Sequence, residues 1–173
     1  MDMLHTLAFS GMNIFQDYGA NLATQLWIIS RYYESIILFI APFFINQRLK
    51  VFPVFILSLF SLTFFTGLAF FDMFPACFIK GEGVTLFKQI SEYVICLILL
   101  GALFRLHQKR EMLYRNMFCM ISASILITIA SELSFTLYQD PYGTFNMIGH
   151  LLKIVSFYLI YLPFIRFGLR EPY

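Results

Sequence analysis

Charge is scarce in this sequence. Asp, Glu, Lys and Arg make up 13% of the 173 residues, against about 25% in an ordinary soluble domain. With 60% of the chain hydrophobic and 19% aromatic, a water-soluble globule is excluded, because no soluble core needs that much apolar side chain. Also missing is the alternation of apolar and polar residues that a membrane β-barrel requires, and an open sheet in lipid would leave its backbone unpaired. Cysteine is limited to Cys77, Cys96 and Cys119. Their expected depths differ too much for a bridge of about 6 Å between Cα atoms. The start of the chain has neither a basic n-region nor an apolar run before Asp17, so no cleavable signal peptide is read there. There is no low-complexity stretch and no convincing repeat. The catalytic signatures are absent as well: no Gly-rich phosphate loop, no Ser-His-Asp set that depth permits, and no paired carboxylates in an aqueous cleft. The chain is therefore read as no enzyme.

What is present are five long apolar runs, at Ala23 to Ile45, Val51 to Phe71, Ile90 to Leu106, Met117 to Tyr138 and Phe145 to Phe167. Most reach the roughly 20 residues with which an α-helix crosses a ~30 Å hydrocarbon core; the third is short and is expected to begin nearer Lys88. The fold class is all-α, a polytopic transmembrane bundle of five spanning helices. Lys and Arg in the connections set its orientation. Arg48, Lys50, Arg105, Lys109, Arg110, Arg115, Arg166 and Arg170 lie on one side and only Lys80 and Lys88 on the other. The first side is taken as cytoplasmic, with the N-terminus outside and the C-terminus inside. The net charge of +2 is thus mostly topological and argues neither for nor against nucleic acid, which is not among the expected partners.

The connections on the outer side, Met1 to Leu22 and Phe71 to Lys88, read as ordered interfacial segments with turns at Gly11-Met12-Asn13 and Gly81-Glu82-Gly83. Trp27, Tyr18, Tyr138 and Tyr142 are expected to anchor at headgroup level. Pro42 and Pro163 mark helix ends or bends. Ser124, Thr128 and Ser131 form a small hydroxyl stripe suited to helix packing. The second span carries no charge, and with Ser58, Ser61 and Gly67 it is expected to face lipid or a partner.

Six ionisable residues fall inside spans, all in the outer half: Arg31, Glu34, Glu92, Glu132, His150 and Lys153. At 1.5 Å per residue they lie roughly 6 to 16 Å below the outer boundary. A charge near the bilayer centre costs roughly 2.5 to 3.5 kcal/mol on insertion scales, so such groups face one another or a cavity. Arg31 and Glu34 are three apart, as are His150 and Lys153, so each pair shares a helix face. The expectation is one buried polar pocket. In it, Arg31 and Lys153 would take anionic groups, the three glutamates would act as carboxylate partners, and His150 as donor or proton switch. Formal charge sums to minus one, so a glutamate keeps its proton or His150 gains one. The competing reading is a structural ion network that fixes helix register.

The strings Leu4-His5-Thr6-Leu7-Ala8, Asn21 through Ile28, Arg31-Tyr32-Tyr33-Glu34-Ser35, Ser91-Glu92-Tyr93-Val94-Ile95, Ser131 through Tyr138, Gly149-His150-Leu151-Leu152-Lys153 and Gly168 through Tyr173 resemble the third family of bacterial membrane-associated sensor domains, over nearly the whole chain. The resemblance implies an integral membrane sensor domain at 1–173 of the bacterial cytoplasmic (inner) membrane. Such a domain precedes a cytoplasmic signalling module, a histidine kinase of a two-component system or a cyclic-di-GMP enzyme. Family members carry further transmembrane helices ahead of the segment matching Asp2 to Leu7. The chain is therefore expected to be partial, without its earlier helices and without an output domain. The partners implied are membrane lipid, a small ligand or proton, that signalling module, and a second copy in a homodimer, the assembly such sensors commonly adopt. The alternative is a small transporter or proton conductor using the same charges; against it, the inner halves of the spans are apolar apart from scattered Ser, Thr and Cys. A metal or haem site on His5, His150 and Cys77 is disfavoured because only His150 lies in a spanning helix, and no cofactor or metal is expected.

Overall fold

A computed structural model describes residues 1–12, 14–15, 18–45, 47–137 and 143–168. Asp17, Tyr138, Tyr142 and Arg170, and the Asn13 position of the first turn, lie outside the described residues. The fold is all-α, with α1 (Asp2–Ala8), α2 (Gly19–Ile40), α3 (Val51–Phe70), α4 (Leu86–Gln108), α5 (Arg115–Thr136) and α6 (Thr144–Gly168). A short antiparallel hairpin, β1 (Phe78–Ile79) and β2 (Gly83–Val84), lies between α3 and α4. Five helices, α2 to α6, are long and apolar enough to cross a membrane, which makes this a multi-pass membrane architecture.

Helix ends follow local chemistry. Pro42 enters a 3-10 turn, Ala41–Phe44, that closes α2. Pro53 falls in the first turn of α3, where its missing N–H has no partner to lose. α3 ends with Asp72 in the left-handed region (φ 54°), and the Met73 and Phe74 amides return to the Leu68 carbonyl at 2.9 and 3.1 Å, as in a Schellman-type stop. The Thr85 hydroxyl accepts the Lys88 amide at 3.3 Å, so α4 starts at Leu86, slightly earlier than the apolar run suggested. α6 continues through Pro163, which is therefore an interior interruption and not a helix end.

Two compact units divide the chain, Met1–Glu34 with Asn46–Ser91, and Ser35–Ile45 with Glu92–Tyr173. In the first unit, Ala8, Leu22, Ala23, Leu26, Ile29 and Ala69 form the buried cluster, with Leu4, Phe15, Phe70 and Phe74 packed against it. Asn21 Oδ1 accepts the Cys77 and Phe78 amides at 2.8 and 3.0 Å. Gln25 Nε2 donates to the Phe74 and Pro75 carbonyls at 3.0 and 3.1 Å. These side chains of α2 hold the hairpin connection. Gly81 and Gly83 both take positive φ in its turn (95° and 89°). On α3, Phe52, Phe55, Leu57 and Phe60 are largely exposed, in keeping with a helix that faces lipid or a partner. The Tyr33 hydroxyl bonds to the Ser58 carbonyl and the Ser61 hydroxyl on its other side.

The first part of the ordered Met1 to Leu22 segment is helical, α1, and its side chains reach α2. Asp2 stands abreast of Ser30 and Arg31, while His5 Nδ1 lies 2.7 Å from the Ala23 carbonyl. Arg31 is twelve residues into α2, roughly 18 Å from its start, so α1 reaches well along a spanning helix.

In the second unit, α5 and α6 pack through a small-residue seam. Ser131 donates to the Gly149 carbonyl at 2.8 Å. Ser124 and Ser156 exchange bonds with each other's hydroxyl and carbonyl at 2.8 to 3.1 Å, and Thr128 joins Ser156 at 2.5 Å. The hydroxyl stripe is a packing seam, with Ser156 as the partner that spacing on α5 alone could not reveal.

Candidate polar sensor site

Arg31, on α2 of the first unit, is 2% exposed. Its guanidinium donates to Glu34 Oε2 at 2.5 Å, Asp2 Oδ1 at 2.6 Å and the Ser30 hydroxyl at 2.9 Å. The same group lies 4.4 Å from the centre of the Trp27 ring, a cation–π geometry. Ser30 in turn donates to Asp2. One cation thus serves two carboxylates. For Asp2, burial alone would raise the carboxyl pKa, but Arg31 and the Ser30 hydroxyl outweigh it and hold the group below its ordinary value of 3.8. His5 stacks obliquely on Trp27, ring centres 5.0 Å apart. Its burial depresses the imidazole below 6.5, against the opposing pull of the Ala23 carbonyl and Asp2. Trp27 is 7% exposed and supports this cluster, where an interfacial anchor was expected.

The second unit holds Glu92, Glu132, His150 and Lys153. Glu92 and Glu132 are both 0% exposed and Lys153 is 3%. Lys153 Nζ lies 3.5 Å from Glu132 Oε1, joining α6 to α5, and 5.3 Å from the Phe157 ring centre. Cys96, one turn beyond Glu92, is within electrostatic range of both Glu92 and Glu132. His150 packs edge-on against Phe135, centres 5.1 Å apart. Lys153 is thus paired with Glu132, and Glu92 is buried in the same unit.

The structure pairs Arg31 with Glu34 and Lys153 with Glu132; Arg31 and Glu34 belong to the first unit, and Glu92, Glu132, His150 and Lys153 to the second. Sequence reasoning missed Asp2, Ser30 and His5 as members of the first group. No signal in the sequence marks them, because α1 is too short to read as a span and its contact with Arg31 is 29 residues distant. Sequence reasoning also missed Lys88, counted only as a topological charge, whose side chain is 1% exposed at the start of α4. Among the described residues no group of three His, Cys, Asp or Glu side chains is placed to hold a metal ion, and there is no disulfide. His5 bonds to α2 and His150 packs on α5.

No curated protein and no solved structure matches the chain. A family model does, that of MASE3, described as a membrane-associated sensor domain, over residues 1–172. A domain of this description is a sensor input domain and not a catalytic one. The match over nearly the whole chain places it in the MASE3 family of membrane-associated sensor domains.

Proposed function

We propose that the domain is the signal-input part of a receptor in the bacterial cytoplasmic membrane, N-terminus outside, and that its buried ionic groups are the sensing elements. A small anionic ligand or a proton arriving from the outer side alters the contacts of Arg31 and Glu34, or of Glu92, Glu132, His150 and Lys153. Arg31 and Lys153 would receive anionic groups; the glutamates and His150 would accept or give up protons. The change passes along α6 toward a cytoplasmic histidine kinase or cyclic-di-GMP module, in a homodimer. The observation that carries this reading is the burial of ionic groups in the helices of a sensor-family domain, with Arg31 bonded to Asp2 and Glu34, Lys153 paired with Glu132, and Glu92 fully buried. Such a balance is easily tipped by one added charge, and a shift in helix arrangement needs only that the ligand prefer one arrangement.

Grafting the domain onto a diguanylate cyclase reporter and replacing Glu92→Gln, Glu132→Gln or Lys153→Met tests the reading. Signal output should become insensitive to external pH or small anions while membrane insertion is kept. Unchanged responses with normal insertion would remove these residues from the mechanism.

A further inference from the structure

The second unit contains a feature separate from Glu92, Glu132, His150 and Lys153. A cavity of about 240 Å³ lies among the ends of its helices, lined by Leu38, Pro42, Leu106, Ile121, Ile125 and Phe164 with further apolar neighbours, and every lining residue is apolar. An apolar cavity of roughly 150 Å³ already stays dry and accepts benzene. This one is larger, and with no polar side chain in its wall it offers nothing to a water-soluble ligand.

Its surroundings narrow the choice further. Leu106 in the wall is followed back along α4 by Arg105, whose guanidinium lies 4.8 Å from the ring centre of Phe43. Phe43 is itself the neighbour of lining residue Pro42. The wall also includes Leu113, in the connection that carries Arg110 and runs to Arg115. Arg105 is exposed and also donates to Gln108 Oε1 at 3.3 Å; its guanidinium is thus available next in sequence to the wall of an otherwise apolar void, at the basic end of helices that cross a membrane. Arginine matches phosphate through its planar fork of donors, and basic pockets between membrane helices are suited to anionic headgroups.

We propose that this cavity is a lipid site that takes part of an acyl chain of an anionic glycerophospholipid, whose phosphate is held by Arg105. The site is distinct from the ionic groups, which belong to the other half of the spans, and it does not depend on what stimulus those groups detect.

The test uses the full chain reconstituted in phosphatidylcholine vesicles containing a phosphatidylglycerol with a diazirine in its acyl chain, followed by photolysis and peptide mapping. Label should concentrate in residues 113–125 and 160–164 and be displaced by excess unlabelled phosphatidylglycerol on the unaltered protein. Ile121→Trp, which fills the cavity, should abolish that label, whereas Leu126→Trp on an exposed position of α5 should leave it in place. Arg105→Gln should lower the preference for phosphatidylglycerol over an equally labelled phosphatidylcholine by about fivefold, the worth of one basic contact at an anionic surface. Label spread evenly along exposed helix faces, label that unlabelled phosphatidylglycerol does not displace, or equal labelling by both lipids would each overturn the assignment. Should Ile121→Trp fail to fold, the displacement experiment on the unaltered protein decides alone.

Discussion

The Lys153–Glu132 pair permits a quantitative test of whether the buried charges act as units. Both side chains are almost completely buried, 3.5 Å apart, and they bridge α5 and α6. At that separation and an effective dielectric near 20, their attraction is about 5 kcal/mol before desolvation is subtracted. Removing one partner from such a pair typically costs about 3–5 kcal/mol, because the other charge is left buried and uncompensated. Replacing both with uncharged groups of similar size is often neutral. Lys153→Met and Glu132→Gln should therefore each lower stability by about 3 kcal/mol, while the double variant stays within roughly 1 kcal/mol of the parent, a coupling of about 5 kcal/mol. Equilibrium unfolding in detergent micelles, read by far-UV circular dichroism across the four proteins, measures this cycle. If the two single losses simply add in the double variant, the pair does not act as a unit and the reasoning fails.

Three further outcomes follow from particular contacts. His5 resists protonation in the folded state, so stability should fall as pH drops below 6.5, where only the unfolded chain takes up the proton, down to its lower folded value. His5→Phe should flatten that slope in thermal melts, and an unchanged slope would exonerate His5. Asp2 acts in the opposite part of the range: its contribution is complete above about 3.8 and disappears as pH falls through its lowered folded value, so Asp2→Asn should remove an acid-limb loss. At Gly149, an added Cβ would lie 2.6 Å from the Phe135 ring, and Gly149→Ala should cost about 1–3 kcal/mol, with Phe135→Leu restoring much of it in a melting assay.

Much of this architecture is legible in the residues alone, for physical reasons. Lipid demands continuous apolar helices, so the five spans announce themselves by length, and Pro42 and the Gly81-Glu82-Gly83 turn mark breaks that the structure places in the same positions. Burial is also legible, since Glu92, Glu132 and Lys153 fall within apolar runs and all are buried. What escaped is tertiary. α1 is too short to read as a span, so nothing in its composition tells that Asp2 lies against Arg31, 29 residues away. Lys88 sits at the edge of an apolar run, where a charge ordinarily counts as loop. The hairpin has two residues per strand, below what alternation can reveal. Ser124 and Thr128 have helical spacing, but their common partner Ser156 belongs to another helix, and only packing brings the three together.

The embrace of Arg31 by Asp2 and Glu34 also bears on how the chain enters the bilayer during synthesis. Threading a bare arginine to that depth would cost roughly 2.5 to 3.5 kcal/mol, but Glu34 travels on the same helix one turn away and Asp2 arrives on the segment just ahead of it. Biogenesis is easiest if α1 and α2 partition into lipid as one hairpin, their opposing charges already neutralised, and a substitution at Asp2 would then be felt first by the insertion machinery.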